Sequence, residues 1–300
     1  MMLGYDKDLF ILAFDHRGSF QKTFFGVRGE PTAEETTKII DAKRLIFEGA
    51  LKAFDQGVSG AGILVDEQFG ADVARDAKAK GIPVAMPVER SGQHEFDFEY
   101  GQDGFGGHIT QMDPDFSKVL VRYNPEGDGA MNARQTIRLK ILGDWLHAND
   151  RKFLFELLVP AEPHQLENVG GDAARYDIAV RPGLMLTAIA ELQQAGVEPD
   201  VWKIEGLDRR EDCEAISNQC RTGGREGVVC VVLGRGADDA AVDQWLRTGS
   251  GVPGYAGFAI GRSIWWEPLK GYMAGTAART DAAAAIATNY ERFVKLYRGS

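Results

Sequence analysis

A chain of 300 residues, 44% hydrophobic and 26% charged, has the composition of an ordinary soluble globular protein and is long enough to bury one large core. Its net charge of -10 argues against nucleic acid or an anionic membrane as a partner. No apolar stretch is long enough to span a bilayer, and the opening Met-Met-Leu-Gly-Tyr-Asp lacks a signal-peptide core, so a cytoplasmic protein is expected.

Short runs rich in Val, Ile, Leu and Phe, bounded by Gly, Pro or Asp, predict strands. In chain order they are Leu9–Phe14, Gly62–Val65, Ile82–Met86, Lys118–Arg122, Phe153–Leu158, Val201–Glu205, Val228–Leu233 and Gly257–Ile260. Helical spacing of apolar residues fills most of the gaps: Thr32–Phe54, Asp72–Lys80, Ala130–His147, Pro182–Ala195, Arg209–Arg221, Asp238–Arg247 and Ser263–Ala274. Ala282–Tyr297 predicts a further helix beyond the eighth unit. The stretch Glu89–Met112 is polar, aromatic and Gly-rich, and reads as a lid or substrate wall without a clear long helix.

Eight strands alternating with helices predict a single (β/α)8 TIM barrel over residues 1–300, with an extra C-terminal helix. A doubly wound sheet would carry a Gly-x-Gly-x-x-Gly turn after its first strand, where this chain has Asp15-His-Arg-Gly-Ser19. Cys213, Cys220 and Cys230 have no metal-ligand or redox spacing. The five histidines form no zinc motif and no nucleotide-phosphate loop is present, so neither metal nor cofactor is expected. Trp265, Trp266 and the last helix could serve a homo-oligomer interface or pack the barrel.

In a barrel of this kind the C-terminal strand ends and the following loops build the active site. They carry Asp15 and Arg17 after the first strand, Asp66 after the second, Glu89 after the third and Arg122 at the end of the fourth. Gly234-Arg235-Gly236 follows the seventh strand and Gly261-Arg262 the eighth. Cations gathered at one end of an acidic protein suit an anionic substrate, most simply a phosphate, held by glycine-rich backbone and arginine.

Lys203 stands in the apolar run Val201–Glu205, sharing one face with Val201 and Glu205 while Trp202 and Ile204 cover the other. Burying an ammonium there is costly unless it is paired or loses its proton, and a neutral amine can form a Schiff base with a carbonyl. A structural ion pair is the competing reading. Glu156 lies in the neighbouring apolar strand and Lys118 begins the fourth, so two lysines and a glutamate are expected inside the barrel. Crowded cations would ease deprotonation of the amine, and a carboxyl of raised pKa beside them would suit proton transfer.

Four segments carry a family resemblance: Leu12-Ala-Phe-Asp-His-Arg-Gly-Ser19, Ile63-Leu-Val-Asp-Glu-Gln-Phe-Gly70, Phe153-Leu-Phe-Glu-Leu157 and Asp200-Val-Trp-Lys-Ile-Glu205. With them the chain resembles the class I tagatose-1,6-bisphosphate aldolases. It resembles more closely the DUF2090 group, the aldolase-like domain fused behind the sugar kinase in some inositol-catabolism proteins. That second likeness rests on Met86-Pro-Val-Glu-Arg-Ser-Gly92, Glu95-Phe-Asp-Phe-Glu-Tyr-Gly101, Val232-Leu-Gly-Arg-Gly-Ala237 and Gly257-Phe-Ala-Ile-Gly-Arg-Ser-Ile-Trp265.

The resemblance implies a class I aldolase in which Lys203 forms the Schiff base and Glu156 shuttles protons. It places Asp15 and Lys118 near substrate hydroxyls, and Arg262 with the Gly234–Gly236 turn at a phosphate. The implied substrate is a phosphorylated keto-sugar such as 2-deoxy-5-keto-gluconate 6-phosphate, cleaved to dihydroxyacetone phosphate and malonate semialdehyde; a sulfonated sugar is equally open. No kinase domain is present in the 300 residues, so phosphorylation would fall to another polypeptide. Two rivals stand beside this. One is a metal-dependent lyase or isomerase using Asp15, Asp66, Glu89 and Glu156 as oxygen ligands. The other is a non-catalytic sugar-phosphate-binding partner of a kinase.

Overall fold

A computed structural model describes residues 3–236 and 238–299; Met1, Met2, Ser300 and the Ala237 that ends one of the resemblance motifs lie outside it. Eight parallel strands close into a barrel in sequence order. They are β1 (Leu9–Ala13), β2 (Ala61–Leu64), β3 (Val84–Pro87), β4 (Phe116–Arg122), β5 (Lys152–Leu158), β6 (Val201–Glu205), β7 (Val229–Leu233) and β8 (Tyr255–Ile260). The expected TIM barrel is the fold, and each strand boundary falls within two residues of its expected position.

The helices surround the barrel. After β1 come α1 (Gly18–Phe24) and α2 (Ala33–Asp55), after β2 α3 (Glu67–Ala79), after β3 α4 (Gly101–Met112), after β4 α5 (Gly129–Ala148). After β5 come α6 (Pro163–Asn168), α7 (Ala173–Ala179) and α8 (Arg181–Gln194), after β6 α9 (Arg210–Arg221) and after β7 α10 (Asp239–Gly249). After β8 come α11 (Arg262–Met273) and α12 (Arg279–Arg298).

Strand alternation sorts the side chains into an inner and an outer set. Phe116, Leu154 and Val201 join Leu9, Ile11 and Val231 in an apolar plug inside the barrel. Lys118, Glu156 and Lys203 each stand two residues beyond a member of that plug, so they project from the same face one layer nearer the C-terminal mouth. The plug below them keeps water out, which is why their charges must satisfy one another. The outer faces bury Trp202 and Ile204 against the helices, as the alternation across Val201–Glu205 requires.

α12 is part of the barrel shell, packing its apolar face against α2 and β1. Ile286, Tyr290 and Phe293 are fully buried in the cluster shared by β1 and α2, each contributing about 1.5–3 kcal/mol of burial. The Tyr290 hydroxyl donates to the Phe10 carbonyl at 2.6 Å. Gly49 allows the close crossing, since a Cβ there would meet the Ile286 side chain at 2.5 Å. Trp265 is likewise buried, and Trp266 packs edge-on against Phe24 at 4.9 Å.

Two expectations for the second and third units are corrected. α3 begins at Glu67 rather than at Asp72, because the Asp66 carboxylate caps it by accepting from the Phe69 N–H at 2.9 Å. The Glu89–Met112 stretch does contain a helix, α4. Gly101, Gly104, Gly106 and Gly107 lower its intrinsic propensity and hide the spacing of Phe105, Ile109 and Met112. One of these glycines is required by packing, since a Cβ on Gly106 would sit 2.8 Å from the Trp145 ring. The segment before α4 is pinned to its neighbours, and none of its residues lines the cavity at the C-terminal mouth. Phe96 and Phe98 are buried, Glu89 bridges to Phe98, and Glu95 is clamped by Arg134 and Arg138 at 2.7 and 2.6 Å.

Candidate active site

At the C-terminal mouth a cavity of about 410 Å³ opens onto the polar layer. A larger hollow of about 710 Å³, lined by Tyr5, Asp115 and Arg151 among others, lies at the opposite end of the barrel, away from every strand-end residue named above.

The β5–β6 register pairs Glu156 with Lys203, bringing the Lys203 Nζ to 3.0 Å from Glu156 Oε2. The same oxygen lies 3.1 Å from the Lys118 Nζ. Lys118 also donates to Asp15 Oδ2 and Glu89 Oε1, both at 2.9 Å. Lys203, Glu156, Lys118 and Asp15 thus form one connected cluster on three strands and the loop after β1, and all four line the cavity. Lys203 is 3% exposed, so it reaches the cavity only through this floor.

The electrostatics differ from the expectation in an instructive way. Burial would raise the Glu156 carboxyl, but Lys118 and Lys203 override it and hold the group below its usual range. Burial likewise opposes ionisation of Asp15, yet Lys118 and its cationic neighbours hold that carboxyl well below normal. Burial favours deprotonation of Lys118, but Asp15, Glu156 and Glu89 together keep its pKa well above ordinary lysine. The carboxyl raised by burial is Glu89, against the pull of Lys118 and Arg17. Glu156 therefore rests as a carboxylate ready to accept a proton, not as the acid the sequence reading expected. Lys118 is not deprotonated by its cationic neighbour, because the carboxylates around it outweigh the repulsion.

The remaining strand-end residues separate into two groups. Arg122, Glu205, Gly234, Arg235, Gly236, Gly261 and Arg262 line the cavity; Arg17, Asp66 and Glu89 do not. Asp66 is fully buried in an ion pair with Lys43, under β1. Arg17 is bound by Glu99 at 2.9 Å and by the Glu89 carbonyl at 2.8 Å, tying the β1 loop to the segment before α4. Glu89 reaches the site only through Lys118. The sequence signal that would have displaced Asp66 was Lys43, a charge on the buried face of α2 needing a partner.

Of the two arginines assigned to an anion, Arg235 is already neutralised. Its guanidinium lies 3.0 Å from Glu205 and 2.7 Å from Asp177 on α7. Glu205 is saturated in turn, with Arg181 at 3.5 Å and the Val159 N–H donating at 2.8 Å. Arg262 at the start of α11 has no carboxylate partner among the described residues and donates to the Arg235 carbonyl at 3.0 Å. Gly236, at φ +70°, makes room for it, since a Cβ there would fall 2.0 Å from the Arg262 guanidinium. Gly261 lets the start of α11 press on β1, where a Cβ would meet the Ala13 carbonyl at 2.1 Å. An exposed guanidinium beside helix-start N–H groups is a fitting seat for a phosphate. Arg262→Ala is expected to raise KM for a phosphorylated substrate about 10- to 100-fold, whereas Arg235→Ala changes it less than about 5-fold. Steady-state kinetics on the two variants checks the order.

The carboxylates of the metal-dependent rival are not arranged as a ligand set: Asp15, Glu89 and Glu156 surround an ammonium, and Asp66 faces Lys43. Among the described residues no group of three or more His, Cys, Asp or Glu side chains is placed to hold a metal ion. His16, between Asp15 and Arg17 in the turn after β1, also lines the cavity. Among the described residues no helix is long and apolar enough to cross a membrane.

Solved structures of similar fold include aldolases. An archaeal fructose-1,6-bisphosphate aldolase with its catalytic lysine covalently bound to the carbinolamine intermediate superposes with a TM-score of 0.59 at 12% identity, covering 97% of this chain and 94% of that one. A Schiff-base-forming fructose-1,6-bisphosphate aldolase aligns with a TM-score of 0.55 at 13% identity over 94% and 93% of the two chains. Cgl0159 from Corynebacterium glutamicum aligns with a TM-score of 0.53 at 19% identity over 96% and 88%. These likenesses establish the barrel. No curated protein matches the sequence significantly. Residues 4–300 match the family described as an uncharacterized protein conserved in bacteria, DUF2090, and with nearly the whole length matched the chain belongs to it.

Proposed function

We propose that the protein is a class I aldolase that cleaves a phosphorylated keto-sugar to dihydroxyacetone phosphate and an aldehyde. The observation that carries this reading is the buried Lys203 amine, 3.0 Å from an ionised Glu156 and open to a cavity whose lining includes Arg262, an arginine without a carboxylate partner among the described residues. A purely structural ion pair would have no need of a cavity above it.

Glu156 takes a proton from the Lys203 ammonium, freeing the amine to add to the substrate ketone. The proton returns to the carbinolamine oxygen, which leaves as water and produces the protonated imine. An ionised Asp15 then removes the proton of the hydroxyl β to the imine carbon. The C–C bond breaks, its electron pair passes into the imine as an enamine, and the aldehyde departs. Protonation and hydrolysis of the enamine release dihydroxyacetone phosphate and restore Lys203. Lys118, held cationic, steadies the carboxylate forms of Asp15 and Glu156 between proton transfers.

Within this class 2-deoxy-5-keto-gluconate 6-phosphate is the substrate favoured by the resemblance to inositol-catabolism domains. A related ketose phosphate fits the same site. A panel of ketose phosphates, assayed for dihydroxyacetone phosphate release, selects among them. Borohydride added during turnover is expected to leave a reduced adduct on the peptide containing Lys203. Turnover without any adduct there sinks the Schiff-base mechanism.

A further inference from the structure

Arg122 ends β4 on the strand face that carries Lys118 and Leu120, and all three line the mouth cavity. The registers of β4, β5 and β6 set Leu120 level with Glu156 and Lys203, so Arg122 lies one inward layer nearer the mouth, about 7 Å along the strand. In the closed eight-strand barrel β4 and β8 face each other across the axis, and β6 stands midway between them. Lys203 is therefore flanked by two arginines at the mouth, Arg262 after β8 and Arg122 on β4.

The Arg122 guanidinium is held in place but not neutralised. One terminal nitrogen donates to the Gln93 carbonyl at 2.8 Å, and the Gln135 amide donates to the Arg122 carbonyl at 3.0 Å. Among the described residues no carboxylate pairs with it, and its other two nitrogens, bonded to nothing in the protein, remain open to solvent. Arg235 differs, being engaged by Glu205 and Asp177. A fixed, half-buried and reachable cation inside the substrate cavity of an acidic protein calls for an anion on the ligand.

The surroundings of the two arginines say which anion each one suits. Beside Arg262 the start of α11 has no side-chain cap, so helix N–H groups are left for a phosphate. In the unit of Arg122 the start of α5 is already filled, because the Asp128 carboxylate accepts from the Ala130 and Met131 N–H groups at 2.9 and 3.0 Å. A single planar guanidinium without helix N–H groups matches a planar, singly charged carboxylate better than a phosphate dianion. Between Arg122 and the Lys118–Asp15 pair the cavity is lined by Leu120 and Leu158, which suit a methylene better than a hydroxylated carbon.

On the aldolase reading, on which this inference rests, the phosphate arm of the substrate runs from Lys203 toward Arg262. The arm released as aldehyde then passes Asp15 and Lys118 toward β4. We infer that Arg122 binds a carboxylate at the far end of that arm, making the site selective for keto-sugar phosphates whose aldehyde fragment is an oxo acid.

Running the cleavage backwards tests this: the full-length protein joins dihydroxyacetone phosphate to an aldehyde, and consumption of the phosphate is followed. 3-Oxopropanoate and 4-oxobutanoate carry the carboxylate, while 3-methylbutanal and 4-methylpentanal have similar shapes without charge. For the wild type, kcat/KM of the better acid is expected to exceed that of its neutral counterpart about 10- to 100-fold, and to exceed that of glyceraldehyde 3-phosphate as well. Arg122→Leu should cut the acid-to-neutral ratio to about 3 or less, whereas Arg262→Leu should raise KM for dihydroxyacetone phosphate and keep the ratio. A borohydride-trapped dihydroxyacetone phosphate adduct on Lys203 reports that each variant is folded. No reaction with either acid, no preference for one, a faster reaction with glyceraldehyde 3-phosphate, or a ratio that survives in Arg122→Leu overturns the inference; the wild-type adduct then leaves the Schiff base standing. A wild type that forms neither adduct nor condensation product overturns the aldolase reading itself, and the role of Arg122 with it.

Discussion

Lys203→Met should abolish aldol cleavage, lowering kcat by about 10⁴-fold or more, while leaving the barrel folded. The loss is large because no other amine can replace this one: Lys118 is held protonated by three carboxylates. The fold should survive because Glu156 keeps the Lys118 ammonium at 3.1 Å when Lys203 is gone, so no carboxylate is stranded. Lys203→Arg is an informative companion. It retains a cation against Glu156 but cannot be deprotonated into a nucleophile, and so should be equally inactive. Activity that persists in both variants and disappears with a chelator would support the metal-dependent rival instead.

The site was partly legible because barrel chemistry is written along single strands. Lys203 and Glu156 each interrupt an apolar run at a position facing inward, and adjacent strands of a barrel are adjacent in sequence order. Two facing interruptions on neighbouring strands therefore predict a contact. What could not be read was set by pairs distant in sequence. Arg235 looked like an anion ligand until Asp177, 58 residues earlier on a short helix, claimed it. Asp66 looked like a mouth residue until Lys43 claimed it from α2. α7, which brings Asp177 into place, is too short to show a period. The direction of proton flow was also hidden. A lysine–glutamate pair alone allows a raised or a lowered carboxyl, and Lys118 decides between them by placing a second cation on Glu156.

The largest effect on stability is expected from Lys118→Met. Its Nζ sits within 3.1 Å of Asp15, Glu89 and Glu156, with all three carboxyls buried or nearly so. Methionine fills similar volume but leaves the negative charges facing one another above an apolar plug, a loss of about 3–5 kcal/mol at neutral pH. The pH dependence gives this origin a signature. Asp15 and Glu156 have lowered values in the folded protein, so each contributes stability that is present above its unfolded pKa and lost as pH falls through the folded one. Without Lys118 those depressions shrink, and the carboxyls can accept protons at higher pH than in the wild type. The gap between variant and wild type should therefore be widest near pH 7–8 and narrow progressively toward pH 4, where protonation relieves the repulsion. Urea unfolding of both proteins across that range measures it. A gap that stays constant with pH would show that methionine disturbs packing alone and that the three carboxylates do not depend on Lys118 for their charge.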